Sequence, residues 1–188
     1  DVKLVAMADI FEDKLKGSRN RLKKIKPDQV AVDDDHCFVG FDAYQKVLAS
    51  GIDVAIIACT SHFHPAYLKA AVDAGKHIFC EKPHSLDVPG LARVKKTCDE
   101  AKRKGLAVVS GLCWRYHPGM RETIKRVQDG AIGKVVAIQE TYCVGPYHAI
   151  QRRPEWNEME WQMRNWYHFC WLAGDQVMQQ LIHSIDKG

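Results

Sequence analysis

The fold is decided by residues 53–83, which read DVAIIACTSHFHPAYLKAAVDAGKHIFCEKP. Apolar runs at 53–59 and 77–80 have the length and composition of buried strands. Between them, Pro65 suits the first turn of a helix, and Gly75 suits the position just after its end. A strand, a helix and a second strand of these lengths predict a right-handed crossover between two parallel strands.

The same alternation extends on both sides of this unit. Asp87 can cap a further helix that ends before Gly105. The other predicted elements are a strand at 2–8, a helix at 11–25, a short strand at 30–32, a helix at 41–49 and a strand at 106–112. Residues 1–114 are therefore predicted to form a doubly wound α/β domain, with a parallel sheet that helices cover on both faces.

The pattern changes in residues 115–188. A helix is predicted at 118–129, and residues 134–142 alternate as a half-exposed strand does. This predicts the start of a second α/β domain with an open, mostly antiparallel sheet. Asp175 can cap a last helix. Four tryptophans recur every five residues, and two interpretations of them stay open: they belong to the core, or they stack on sugar rings. They are Trp156, Trp161, Trp166 and Trp171.

Composition excludes several classes of protein. The 188 residues are 46% hydrophobic and 27% charged, which is typical of globular chains and excludes disorder. Seven of the 27 Lys and Arg lie within 14–26, leaving 20 against 23 acidic residues elsewhere, so we expect no nucleic-acid partner. No apolar stretch suits a membrane span or an export signal, so we expect no membrane partner and a cytoplasmic location. The seven cysteines are never closer than 15 residues, which predicts reduced thiols and no metal site.

Ligands of open parallel sheets bind beyond the carboxyl ends of the strands, so the polar residues there are the candidates for function. Asp9 is either a carboxylate that binds an adenosine ribose or a helix cap. Lys82 is either a donor to a developing oxyanion or a solvated cation. His183 is either a proton acceptor or a structural histidine, and a regular helix would place Gln179 and Asp186 on its face.

Six strings follow one another along the chain: DVAIIACT at 53–60, HP at 64–65, AGKHIFCEKP at 74–83, WRYHP at 114–118, GAIGKV at 130–135 and HSID at 183–186. In this order they resemble the Gfo/Idh/MocA family, named for glucose-fructose oxidoreductase and inositol dehydrogenase. The resemblance implies a Rossmann domain followed by an α/β domain with a large open sheet. It also implies an NAD(P)-dependent oxidoreductase that acts on a small sugar or polyol and forms a homo-oligomer.

The resemblance also implies roles for single residues. The catalytic pair is Lys82 and His183, the cofactor-binding residues are Asp9, Thr60, His64, Glu81, Lys82 and Arg115, and the substrate-binding residues are Gln179 and Asp186. NAD is expected rather than NADP, because a carboxylate at Asp9 repels a 2′-phosphate. Gln179 departs from the family, in which many members carry an aspartate, and an amide cannot pair ionically with an imidazolium.

The glycine-rich phosphate loop of such domains is absent from the 188 residues. We therefore expect an internal fragment that lacks the first strand and helix and much of the second domain. Three functions are considered. The first is a dehydrogenase of a sugar, a cyclitol or a related secondary alcohol. The second is a glycoside hydrolase that uses a retained NAD transiently, and the third is a non-catalytic sensor of a sugar or nucleotide.

Overall fold

The computed structural model describes residues 2–188, and its strands are all parallel. They are β1 (Met7–Asp9), β2 (Cys37–Val39), β3 (Val54–Ile57), β4 (His77–Cys80) and β5 (Val108–Ser110). β1 pairs with β2, while β3, β4 and β5 form a second group in that order. In the second group Ile57 lies opposite Cys80, and Cys80 lies opposite Ser110, so the carboxyl ends of the three strands meet at one edge.

Helices separate the strands and form most of the rest of the chain. They are α1 (Glu12–Ile25), α2 (Ala43–Ala49), α3 (His64–Asp73), α4 (Val88–Arg103), α5 (Pro118–Gln128), α6 (Glu158–Arg164), α7 (Cys170–Ala173) and α8 (Ile182–Ile185), with a π-helical turn at Val177–Leu181. Two predicted helix boundaries are confirmed. The Oδ1 atom of Asp87 accepts a hydrogen bond from the Gly90 amide at 2.6 Å, and Gly75 follows α3 with a φ of 70°.

The predicted doubly wound, Rossmann-like α/β fold is confirmed, and its core lies between the β3–β4–β5 group and helices α3 and α4. Leu68 and Val72 on α3 pack with Ile78 and Cys80 on β4, and each of these four residues is at most 2% exposed. The other face of this group differs from the expectation of two covered faces. Ile56 on that face is 69% exposed, because no helix within residues 2–188 packs over it.

Two predicted strands are wrong. Residues 30–32 contribute only an isolated bridge, between Val30 and Leu4, and the strand that pairs with β1 is β2 instead. Residues 134–142 have no regular secondary structure, and Val136 there is 89% exposed. An alternating segment becomes a strand only when a second strand pairs with it, and residues 115–188 contain no strand. The division into domains at residue 114 stays a prediction.

Candidate active site

The carboxyl end of β4 carries the central group of the site. The Glu81 amide donates to the Ile57 carbonyl oxygen at 2.8 Å, which continues the pairing of β3 and β4 by one residue. Lys82 comes next, and its Nζ donates a hydrogen bond to the backbone carbonyl oxygen of Gln179 in the π-helical turn. Lys82 thus joins the strand edge to the last helical segment of the chain. Burial lowers the pKa of Lys82, while the neighbouring Glu81 carboxylate opposes that shift.

A glycine in the loop after β5 allows Glu81 to take this position. The Gly111 amide donates to the Cys80 carbonyl oxygen at 2.8 Å. A Cβ atom on Gly111 would lie 2.6 Å from Oε2 of Glu81 and 2.9 Å from its Cα. Backbone atoms cannot move away from such a contact without cost, so the close approach requires glycine here. Sequence reasoning missed Gly111, because a glycine after a strand is also typical of an ordinary turn.

His183 lies on α8 and is only 7% exposed. The ring of Tyr142 stacks on its imidazole at 5.6 Å between centroids. Its Nδ1 atom is buried and has no hydrogen-bond partner among residues 2–188. Burial lowers the pKa of His183, and the nearby positive charge of Lys82 lowers it further. The lowered pKa favours the uncharged ring, which is the form that can accept a proton.

Gln179 lies in the π-helical turn Val177–Leu181 and is held there by two hydrogen bonds of its side-chain amide. Its Nε2 atom donates to Ser61 Oγ at 3.0 Å and to the Ala173 carbonyl oxygen at 2.7 Å, and the residue is 3% exposed. The side chain anchors this turn on the loop after β3, and only its backbone carbonyl meets Lys82.

Arg115 and Asp186 form an ion pair. The Arg115 Nε atom donates to Asp186 Oδ1 at 2.6 Å, and the side chain of Asp186 is 6% exposed while that of Arg115 is 61% exposed. The family resemblance implies that Arg115 binds the cofactor and that Asp186 binds the substrate. The structure places them in contact, which ties the loop after β5 to the end of α8.

His64 is a brace between two strand ends and is 1% exposed. Its Nδ1 lies 2.8 Å from the Pro83 carbonyl oxygen, and its Nε2 lies 2.9 Å from the Cys59 carbonyl oxygen. Each ring nitrogen thus faces a backbone carbonyl oxygen, and the neutral ring, which carries one N–H, donates to one of the two. Burial lowers the pKa of His64, against the opposing effect of the two carbonyls.

Asp9 ends β1 and Thr60 lies in the loop after β3, and these two strands do not pair with each other. Asp9 Oδ1 accepts a hydrogen bond from the Phe11 amide at 2.9 Å, just before α1. This bond from residue i to residue i+2 forms an Asx turn, and it uses one of the two oxygens. Thr60 is half-buried and lies three residues after the end of β3. The structure therefore brings Glu81, Lys82 and His183 to one edge and keeps Asp9 at the end of a separate strand.

The tryptophan-rich segment packs across the strand ends. The Trp171 carbonyl oxygen lies 3.0 Å from Nδ1 of His62, in the loop after β3. Trp156 is 8% exposed and belongs to the packed interior, whereas Trp171 is 41% exposed.

Within residues 2–188 no group of His, Cys, Asp or Glu is arranged to hold a metal ion. The helices within these same residues are all too short or too polar to cross a membrane.

Comparison with known proteins identifies the family. The Gfo/Idh/MocA family model, described as an oxidoreductase family with an NAD-binding Rossmann fold, matches residues 17–110, which is half of the chain. The chain belongs to this family. Membership agrees with the resemblance of the EKP string around Lys82, which lies inside the matched region.

Individual relatives of the family are similar over part of their length. Myo-inositol 2-dehydrogenase of Thermotoga maritima is 28% identical over 134 residues, which cover 71% of this chain and 36% of that protein. D-xylose 1-dehydrogenase (NADP(+)) 2 of Haloferax volcanii is 26% identical over 103 residues, covering 54% and 30%. The crystal structure of myo-inositol 2-dehydrogenase from Lactobacillus plantarum has a TM-score of 0.59 and 27% identity, covering 72% and 36%. The chain thus spans about a third of the length of these relatives.

Proposed function

We propose that this chain carries the catalytic groups of an NAD(P)-dependent dehydrogenase that oxidises a secondary alcohol of a sugar, a cyclitol or a related polyol. The observation that carries the proposal is the hydrogen bond from Lys82 Nζ to the Gln179 carbonyl oxygen, which brings the ammonium to the helical segment that carries His183 four residues later. An ammonium donor beside a neutral imidazole is the pair of groups that alcohol oxidation needs. The names of the dehydrogenase relatives support the same reaction class.

The residues at the strand ends fit a dinucleotide. Asp9 retains an oxygen beyond the one that the Phe11 amide uses, and this oxygen can accept a hydrogen bond from a ribose hydroxyl. Thr60, Glu81 and Arg115 would lie around the nicotinamide and its ribose. When bound, the nicotinamide supplies the acceptor for the hydride. The repulsion between the Asp9 carboxylate and a 2′-phosphate supports NAD over NADP.

The proton is handled by His183. Since its Nδ1 is enclosed, the Nε2 edge of the ring is the one that accepts the hydroxyl proton of the substrate. Lys82 donates a hydrogen bond to the same oxygen as negative charge develops on it. The Gln179 carbonyl holds the ammonium in place, and the Gln179 amide anchors that carbonyl to Ser61. Asp186 is proposed to bind a further substrate hydroxyl from its position beside Arg115.

The test is turnover by the full-length protein with a panel of inositols, aldoses and polyols, with NAD and NADP supplied separately. We expect absorbance of reduced nicotinamide to rise together with an equal amount of ketone or lactone, and we expect NAD to bind more tightly. Release of aglycone from an aryl glycoside without net cofactor reduction would favour a hydrolase. A protein that binds neither cofactor would contradict the proposal.

A further inference from the structure

A cavity of about 520 Å³ lies between the start of α1 and the segment that leads into α6. Its volume falls within the range of small-molecule sites, roughly 300–1,000 Å³. Apolar, cationic and acidic side chains contribute to its wall, the acidic ones being Glu12 and Asp13. Those on which the argument depends are Ile10, Phe11, Ile150, Arg153, Trp156 and Arg164.

The position of the cavity connects it to the proposed cofactor site. Ile10 and Phe11 directly follow Asp9, the carboxylate proposed to bind the adenosine ribose. In a dinucleotide the adenine is attached to that ribose. An adenine whose ribose bonds to Asp9 therefore lies next to the residues that open this cavity.

Arg164 holds the opposite wall of the cavity in place. Its Nη1 and Nη2 atoms each donate to Asp13 at 3.1 Å, and its Nε donates to Glu160 at 3.0 Å. The guanidinium carbon lies 3.9 Å from the ring centroid of Phe11 and 4.8 Å from that of Trp156. Two carboxylates neutralise this arginine, so its role is to fasten α6 to α1 rather than to bind a ligand.

Arg153 differs from Arg164 in its partners. Its guanidinium carbon lies 5.0 Å from the Trp156 ring centroid, and its side chain is 67% exposed. Its carboxylate neighbour, Glu155, is 3.9 Å away, near the limit of an ion pair. A planar guanidinium with so weak an ionic partner can stack on a flat aromatic ligand. Trp156 behind it is 8% exposed and keeps it oriented.

We propose that Arg153 and Trp156 form a wall of the adenosine site, with the Arg153 guanidinium in contact with the adenine of the dinucleotide. Both residues lie outside the region 17–110 that matches the family model. The segment that contains Arg153 and Trp156 would therefore contribute to the binding of the cofactor as well as to that of the substrate. This inference rests on the proposed function.

The test compares Arg153→Ala with Arg152→Ala in the full-length protein by calorimetric titration. Arg152 is the control, because it is also an exposed arginine beside a tryptophan, 5.7 Å from the Trp161 centroid, but pairs with Glu158 at 2.7 Å. Its contact with Trp156 is a hydrogen bond to the backbone carbonyl oxygen at 3.3 Å and not to the ring. The probes are NAD, ADP-ribose and nicotinamide mononucleotide. We expect Arg153→Ala to weaken NAD and ADP-ribose roughly fivefold, as the loss of an exposed guanidinium–aromatic contact implies, and to leave the mononucleotide unchanged.

The outcomes separate this inference from the proposed function. If the wild type binds NAD and Arg153→Ala binds ADP-ribose equally well, the inference is overturned and the proposed function stands. Equal weakening by Arg152→Ala would also overturn the inference, since it would indicate a general charge effect. If the wild type binds neither NAD nor ADP-ribose, both are overturned. Equal melting temperatures of the two variants exclude unfolding as the cause.

Discussion

Replacing His64 with phenylalanine tests whether this residue braces the two strand ends. The ring is 1% exposed, and its nitrogens lie 2.8 and 2.9 Å from the carbonyl oxygens of Pro83 and Cys59. A neutral imidazole carries one N–H and donates to one of these carbonyls at a time. Phenylalanine fills similar space but leaves that buried carbonyl without a donor, which costs about 1–3 kcal/mol. We expect the free energy of unfolding to fall by about 2 kcal/mol.

The assay is urea unfolding of the full-length protein, with His62→Phe as the matched control. His62 is two residues away and exposed. Its ring lies edge-on to the rings of Phe63 and Trp171, contacts that phenylalanine can keep, and its hydrogen bond is to the Trp171 carbonyl oxygen at 3.0 Å, so its replacement should cost at most about 1 kcal/mol. The dependence of the unfolding free energy on pH gives a second measurement. Because burial lowers the pKa of folded His64, the unfolded chain binds the proton more readily, and stability falls as pH drops through about 6.5. The His64→Phe variant should lose less stability on acidification than the wild type. Equal stabilities of His64→Phe and His62→Phe would refute the claim that His64 stabilises the two strand ends.

Two further predictions concern Gly174 and the pH dependence of kcat/KM. Gly174 has a φ of 77°, and a Cβ atom there would lie 2.7 Å from Leu86 Cδ2. Gly174→Ala should therefore destabilise the protein by about 1–2 kcal/mol more than Gly75→Ala, because Gly75 has a similar φ of 70° but open space around it. Equal melting temperatures of the two variants would contradict this. The pH profile of kcat/KM should be bell-shaped, because His183 must be neutral and Lys82 protonated, and their lowered pKa values place the limbs below about 6.5 and about 10.4. An acid limb that persists in His183→Ala would assign it to another group.

The local parts of the fold follow from the sequence. The β4 strand occupies the predicted residues 77–80, and Asp87 caps α4, because burial of a short apolar run and a side-chain cap depend on neighbours in the chain. Strand pairing is different. Residues 134–142 alternate correctly but lack a partner, so the same pattern leaves Val136 in solvent.

The candidate site could be predicted in its residue types but not in its contacts. Lys82 and His183 follow from family motifs, yet the contact between Lys82 and the Gln179 carbonyl depends on a π-helical turn that no local pattern indicates. The surroundings of His64 could not be predicted for a similar reason. The family resemblance implies a cofactor-binding residue, and that role stays a prediction, whereas the position of each ring nitrogen beside a backbone carbonyl oxygen depends on tertiary packing.

The central claim, that Lys82 stabilises the developing charge on the substrate oxygen, is tested most directly by Lys82→Met in the full-length protein. Methionine keeps much of the apolar stem and removes the ammonium. The measurement is kcat with a saturating substrate from the panel, together with the Kd for NAD. We predict a fall in kcat of about 10² or more, with a Kd close to that of the wild type, since the donor acts mainly in the transition state. Normal turnover by Lys82→Met would contradict the account and return Lys82 to the status of a solvated cation.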